Sequence, residues 1–137
     1  DREQIIELTY KYARYVDTRD VDANMTLWEP GVCVDYSPLG FPTLNGLDEI
    51  RAFFDEVRFT MGSLCHLTSN HLVTVSGDEA AGTCYWWAPE NDTGNAEHHW
   101  SQGIYHDKYR KTDGTWRFGG RRAVPWVTPD FAERRAR

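Results

Sequence analysis

Apolar residues recur at every third or fourth position through most of the first sixty residues and at alternate positions in much of the remainder. From Glu3 to Val16, the residues Ile5, Leu8, Tyr12 and Tyr15 hold helical spacing, with Ile6 and Val16 widening the stripe. A shorter helix is predicted over Val21 to Trp28, with Val21, Met25 and Trp28 on one side, Asp20 as N-cap and Pro30-Gly31 as its stop. Val32-Cys33-Val34-Asp35-Tyr36 reads as a strand, followed by a turn at Ser37-Pro38-Leu39-Gly40. Asn45-Gly46 opens a third helix that buries Leu47, Ile50, Phe53, Phe54 and Val57. Asp48 and Glu49 in its first turn suit the positive end of the helix dipole.

The rest reads as strands: His66 to Val75, Ala80 to Ala88, His98 to Arg110, and Thr115 to Val124. Ser76-Gly77-Asp78 turns between the first two, Pro89 to Asn95 is a polar loop, and Lys111-Thr112-Asp113-Gly114 is a hairpin turn. Helices first and antiparallel strands afterwards indicate an α+β fold rather than a parallel βαβ fold. With 137 residues and no linker or repeat, residues 1–137 form one domain. A long sheet beside only three helices tends to curl around them, which leaves a cone with a cavity inside.

Composition narrows the function. Hydrophobic residues are 40% and charged residues 26% of the chain, the balance of a globular protein. The net charge of −6 argues against a nucleic-acid surface, since polyanions are held by Lys and Arg. The basic cluster Arg134, Arg135 and Arg137 reads as a solvated end. No apolar run approaches a membrane span and no charged-then-apolar leader opens the sequence, so a cytoplasmic location without membrane partners is expected. Asp1 is not an initiator, so native residues are expected ahead of it. Cys33, Cys65 and Cys84 form no CxxC pair, and each is expected to act as a small buried hydrophobe in a reducing compartment. Six Trp, seven Tyr and six Phe either fill the core or line a cavity for an apolar, ring-shaped ligand.

Several chemistries have no support. The chain has no GxGxxG, P-loop or GxSxG motif. Cys65 and His66 are adjacent, so strand alternation would turn them to opposite faces, and His98-His99 fails as a metal pair for the same reason. Glu97 and His99 share a face, but two ligands make a weak metal site. Neither a metal nor a cofactor is therefore expected.

One arrangement stands out. Lys11-Tyr12-Ala13-Arg14-Tyr15-Val16-Asp17 ends the first helix on a carboxylate, which opposes the negative end of the dipole and needs compensation. Val34-Asp35-Tyr36 follows, and Leu64-Cys65-His66-Leu67-Thr68-Ser69-Asn70 comes directly after the third helix. The order and spacing of this Asp, Tyr and His resemble those of the SnoaL-like and scytalone-dehydratase-like enzymes of the nuclear transport factor 2-like superfamily. Bile-acid dehydratase and hexachlorocyclohexane dehydrochlorinase are similar in the same way. The hairpin Asp113-Gly114-Thr115-Trp116 also looks like that family's penultimate turn, and the resemblance runs over nearly the whole chain.

The resemblance implies a cone-shaped barrel of three N-terminal helices on one strongly curved, mainly antiparallel sheet. It implies a cofactor-free lyase with Asp17 and His66 as catalytic dyad and Tyr36 as a hydroxyl for a substrate oxygen. Tyr12 matches an active-site tyrosine. Arg121, or Arg122 if Gly119-Gly120 bulges the strand, matches an active-site arginine. Trp87 and His99 complete the expected substrate-binding set. One departure is visible: where scytalone dehydratase has a second histidine, this chain has Glu90, leaving Glu90 or His99 for that place. A homo-oligomer is implied, a trimer first and a dimer second.

The chemistry suits these residue types. Removing a proton beside a carbonyl needs a base, and an Asp bonded to one imidazole nitrogen fixes the tautomer and stabilises the imidazolium. The same dyad serves polyketide cyclases and isomerases, and a non-catalytic small-ligand module is a further alternative. Taken singly, each residue has a plainer reading. Asp17-Thr18 can cap the next helix, His66 can be a half-buried histidine, and Tyr12 and Tyr36 can be core aromatics. His71, at an odd offset from His66, is expected on the opposite strand face.

Overall fold

The computed structural model describes residues 1–92 and 98–126. The helices are α1 (Arg2–Asp17), α2 (Val21–Met25) and α3 (Gly46–Thr60). The strands are β1 (Trp28–Asp35), β2 (Thr43–Asn45), β3 (Met61–Leu64), β4 (Leu67–Ser76), β5 (Glu79–Asp92), β6 (His98–Thr112) and β7 (Thr115–Pro125). The loop at 93–97, including Glu97, and the arginines Arg134, Arg135 and Arg137 lie outside the described residues.

The stripe that predicts α1 is the face it buries: Ile5, Leu8, Tyr12 and Val16 are in the core. Each such aliphatic side chain taken from water stabilises the fold by about 1.5–3 kcal/mol. Thr18 then ends the helix, its hydroxyl donating to Arg14 O at 2.9 Å. Arg19 follows with φ of 60°, a left-handed conformation that costs a residue with a Cβ about 1–2 kcal/mol. Asp20 caps α2 as expected, accepting from the Ala23 N–H at 3.0 Å.

α2 stops at Met25, three residues short of the expected end, because the core claims Trp28 for β1. The Trp28 indole donates to buried Asn24 Oδ1 at 3.0 Å and its ring lies 4.8 Å from that of Phe118. Pro30-Gly31 sits inside β1 rather than before it. Its ladder with β7 shifts register between Trp28 and Cys33, so a missing proline N–H is tolerated there. The short strands β2 and β3 have no alternating signal long enough to read in sequence. Asn45 does open α3, its backbone N–H held at 2.7 Å by Glu49.

The strands form one curved, unclosed sheet in the order β2-β1-β7-β6-β5-β3, with β4 also on β5. β3 and β4 share one edge of β5, against Glu90–Asp92 and Glu79–Trp87 respectively, so the sheet is six strands wide. All pairings are antiparallel except β1 with β7. The β6–β7 hairpin turns on Asp113 and Gly114, both at positive φ, which matches the right-handed twist of the strands. α1 lies across the concave face against β4 and β7, while α3 touches both β2 and β3 and covers the open side. No helix among the described residues is long and apolar enough to cross a membrane.

Two bulges decide which side chains face inward. Asn70, at φ 55°, sits where the β4–β5 register shifts between Ser69 and Leu72. That shift turns His71 toward α1, against the expectation that its odd offset from His66 would place it on the other face. His71 Nε2 lies 2.7 Å from Thr9 Oγ1, whose own hydrogen is donated to Ile6 O. The imidazole is therefore the Nε2–H donor, and burial holds its pKa below the ordinary 6.5 of a histidine.

A depressed pKa means that the folded state takes up the proton less readily than the unfolded chain. This contribution to stability is fully present above the unfolded value and is lost as pH falls through the folded one. The melting temperature should therefore drop from about pH 7 to about pH 5, and His71→Gln, which keeps an amide donor for Thr9, should flatten the slope. Equal slopes for both proteins would show that His71 does not contribute.

Candidate active site

Asp17 is the last residue of α1, and His66 lies in the two-residue gap between β3 and β4. The Asp17 carboxylate accepts twice from His66: the backbone N–H at 2.8 Å on Oδ2 and ring Nδ1 at 2.6 Å on Oδ1. Those two donors compensate the charge that the helix dipole disfavours. A carboxylate can only accept, so Nδ1 carries a proton, and in the neutral ring Nε2 is the nitrogen with the free lone pair. The imidazole is largely enclosed, its side chain 11% exposed.

His66 lines a cavity of about 70 Å³ together with Tyr12, Tyr36, Trp86, Ser101 and Tyr105. Val16, Leu39, Phe41, Phe53, Phe54, Val57, Met61 and Leu64 supply its apolar wall. The Tyr12 and Tyr36 hydroxyls are 2.9 Å apart and buried. Burial, reinforced by the neighbouring Tyr12, pushes the Tyr36 hydroxyl well above its usual pKa, so it stays a neutral phenol and a donor. Two larger depressions, of about 660 and 670 Å³, lie along the outer face of the sheet among Ala81, Lys108 and Gly119. They are open surface troughs, and neither contains, among the described residues, a histidine oriented by a carboxylate.

Trp86 and Ser101 were not anticipated as site residues. The Trp86 indole donates to Ser101 Oγ at 3.0 Å and its ring stacks on Tyr105 at 4.5 Å. Gly103 makes room for this ring, since a Cβ there would stand 2.4 Å from Trp86 and 2.2 Å from Val124 O. Counting in twos from buried Cys84 and Ala88 identifies Trp86 as the inward tryptophan. Trp87, expected in the cavity, is half-buried on the opposite face and does not line it. The backbone of His99 pairs with Glu90 across β5 and β6. The side chains of both lie outside the described residues.

The Gly119-Gly120 pair does bulge β7, the register shifting between Lys108 and Tyr109. Contrary to the expectation that a bulge would bring Arg122 inward, it turns Arg121 inward and Arg122 outward, where Arg122 approaches Asp35 at 3.4 Å. Arg121 is not a cavity wall. Its side chain is completely enclosed and forms a two-pronged pair with Asp107, Nε to Oδ1 at 2.7 Å and Nη2 to Oδ2 at 2.8 Å. The guanidinium carbon lies 3.8 Å from the Tyr105 ring centre and 4.3 Å from that of Tyr12. Arg121 Nη1 has no hydrogen-bond partner among the described residues, and these ring faces are what surround the charge. Burial acts to strip the guanidinium of its proton, but the Asp107 charge more than offsets this, so Arg121 stays charged.

The cysteines divide. Cys84 is buried as expected, its thiol pushed up to about 12 by burial, whereas Cys33 and Cys65 are exposed. Among the described residues no three His, Cys, Asp or Glu side chains converge as a metal site.

A family model described as a SnoaL-like domain matches residues 1–122. The chain belongs to the SnoaL-like family. No curated protein matches it. Among solved structures, the SnoaL-like chain is similar to a candidate aromatic ring hydroxylase from Novosphingobium aromaticivorans. The two are 27% identical, over 93% of this chain and 90% of that one, with a TM-score of 0.85. A candidate scytalone dehydratase from the same organism is 21% identical over 92% and 84% of the two chains, with a TM-score of 0.85. A hexachlorocyclohexane dehydrochlorinase is 19% identical over 92% and 85%, with a TM-score of 0.83. These last two likenesses establish the fold, one shared with dehydratase-type proteins.

The buried pair gives this SnoaL-like domain a measurable weak point. Asp107→Ala strands the Arg121 charge and removes the acceptor of the Tyr109 hydroxyl, so it should cost about 3–5 kcal/mol in denaturant unfolding. Replacing both partners, as Asp107→Leu with Arg121→Met, should recover much of that loss. A loss below about 1 kcal/mol in the single variant would mean that the pair is not structurally important.

Proposed function

We propose that the protein is a dehydratase-like lyase in which Asp17 and His66 drive a proton abstraction and elimination on a small, apolar, cyclic substrate bearing an oxygen. The observation that carries this reading is the contact of His66 Nδ1 with Asp17 at 2.6 Å on the wall of the cavity that also holds the Tyr12–Tyr36 hydroxyl pair.

His66 Nε2 takes the proton from the carbon beside a substrate carbonyl, and Asp17 balances the resulting imidazolium. The two phenols carry two hydrogens. One is used in their mutual bond and the other points to the carbonyl oxygen as it gains charge. A good donor aimed at such an oxygen is worth roughly 3 kcal/mol. The imidazolium then returns its proton to the leaving hydroxyl. The C–O bond breaks, the C=C bond forms and water departs, with no change of oxidation state. The chemistry asks for no redox cofactor, and the same histidine acts as base and acid.

Among the described residues the lining includes no Lys, Arg, Asp or Glu, which favours an uncharged substrate. A volume of about 70 Å³ is below the roughly 300 Å³ of ordinary ligand pockets, so seating a ring requires the rim to open. Phe41, on that rim and 44% exposed, is the side chain with room to swing.

The test is turnover of neutral cyclic β-hydroxy ketones, followed by the absorbance of the conjugated enone. His66→Ala should lower kcat by at least about 10²-fold with little change in KM, because the base acts in the transition state. Asp17→Asn should be nearly as damaging, since an amide can bond the ring but cannot balance its charge. Near-wild-type turnover in both variants would make the dyad structural. Rearranged or ring-closed products without loss of water would replace elimination by isomerisation or cyclisation.

A further inference from the structure

We infer that Arg19 is a positioning residue for the Asp17–His66 dyad, clamping the strand that leads to His66 through two backbone carbonyls. The inference rests on the dyad reading only for its catalytic consequence; the clamp itself is a matter of geometry.

Four observations combine. First, Arg19 occupies the left-handed position just beyond the end of α1, at φ 60°. Its N–H bonds Val16 O at 3.1 Å and the Asp20 N–H bonds Tyr15 O at 2.9 Å, closing the helix end. Glycine or asparagine suits such a position, and an arginine is strained there. A strained residue persists where its surroundings hold it in place, and here the side chain supplies the hold.

Second, Arg19 Nη2 donates to the carbonyl of Met61 at 3.1 Å and also to that of Gly62. Third, β3 is a four-residue edge strand whose described pairing with β5 holds register at Met61 and Leu64 and is irregular between them. Fourth, the segment ends in His66, whose backbone and ring both bond Asp17.

One short turn thus touches one short strand at two points. Asp17 holds the His66 end and Arg19 holds the start at Met61, with Leu64 between them; Met61 and Leu64 both line the cavity. Without Arg19, the side-chain bonds from that turn to the segment among the described residues are those of the catalytic carboxylate itself. Asp17 would then have to act as both anchor and partner, and the ring would rock on it.

Arg19→Asn separates the two roles, because asparagine tolerates the left-handed backbone and cannot reach the carbonyls. Its melting temperature should equal or exceed that of wild type. The downfield Nδ1 proton of His66, bonded to Asp17 and visible by proton NMR, should exchange with water at least tenfold faster. Arg19→Lys, which can still reach one carbonyl, should fall between the two. An unchanged exchange rate in Arg19→Asn overturns the inference. So does a variant that melts well below wild type, since the arginine would then stabilise the fold at large. The readout needs no substrate, so its failure leaves the proposed lyase reading untouched, and the failure of that reading leaves the clamp testable.

Discussion

A charge enclosed by aromatic rings holds the middle of this fold together. Arg121 and Asp107 pair across β7 and β6 with both side chains fully enclosed, and α1 lies over them through Tyr12. Taking two ions from water costs several kcal/mol each, and only close two-pronged geometry with ring faces around the cation compensates for it. That requirement orders the neighbourhood. Asp107 must face Arg121, the β7 bulge must turn Arg121 inward, and Tyr12 and Tyr105 must both present their rings to the guanidinium. The same constraint sets where the Tyr12 hydroxyl ends, 2.9 Å from that of Tyr36. The polar end of the cavity is thus built on a buried ion pair that does not line the cavity itself.

Helix α1 carries this order to the other end of the site. Tyr12 and Asp17 are five residues apart, about 1.4 turns, so the tyrosine faces the sheet while the carboxylate projects from the helix end. One rigid element therefore positions both the hydroxyl pair and the partner of His66. The cost of placing a carboxylate at a helix C-terminus is met by the two N–H groups of His66. Neither contact depends on loop conformation except at the β3–β4 junction, which lies between the two strands.

The parts of the fold that could be read from sequence are those with a period. The α1 stripe, the α3 stripe and the β6–β7 hairpin were legible because helical spacing, strand alternation and Asp113-Gly114 each have one physical meaning. The end of α2 was not, because Trp28 satisfies helical spacing and strand burial equally well, and packing on Phe118 decides. β2 and β3 are too short to show alternation. The facing of His71 and Arg121 depended on two bulges. Gly119-Gly120 announced one of them, whereas nothing but Asn70 marked the other. Trp86 was within reach of sequence, since counting from Cys84 and Ala88 selects it over Trp87. The clamp by Arg19 was not, because no local pattern links position 19 to the carbonyls of 61 and 62.

The site therefore has a stiff floor and a softer rim, and the two differ for chemical reasons. The floor contains a hydroxyl pair and an indole–serine bond, backed by the buried ion pair beneath them, each with its partner fixed at hydrogen-bond distance. Moving any of these leaves a buried polar group unsatisfied, at about 1–3 kcal/mol. The rim is made of Leu39, Phe41 and Phe53, held by ring contacts such as the edge-to-face pair of Phe41 and Phe53 at 5.5 Å. Rotating one of these rings gives up only about 0.5–1.5 kcal/mol of aromatic contact. On the proposed lyase reading, a ligand larger than the closed cavity would be accommodated by the rim while Asp17, His66 and the tyrosines stay where they are. One arrangement could then serve substrates whose outer parts differ.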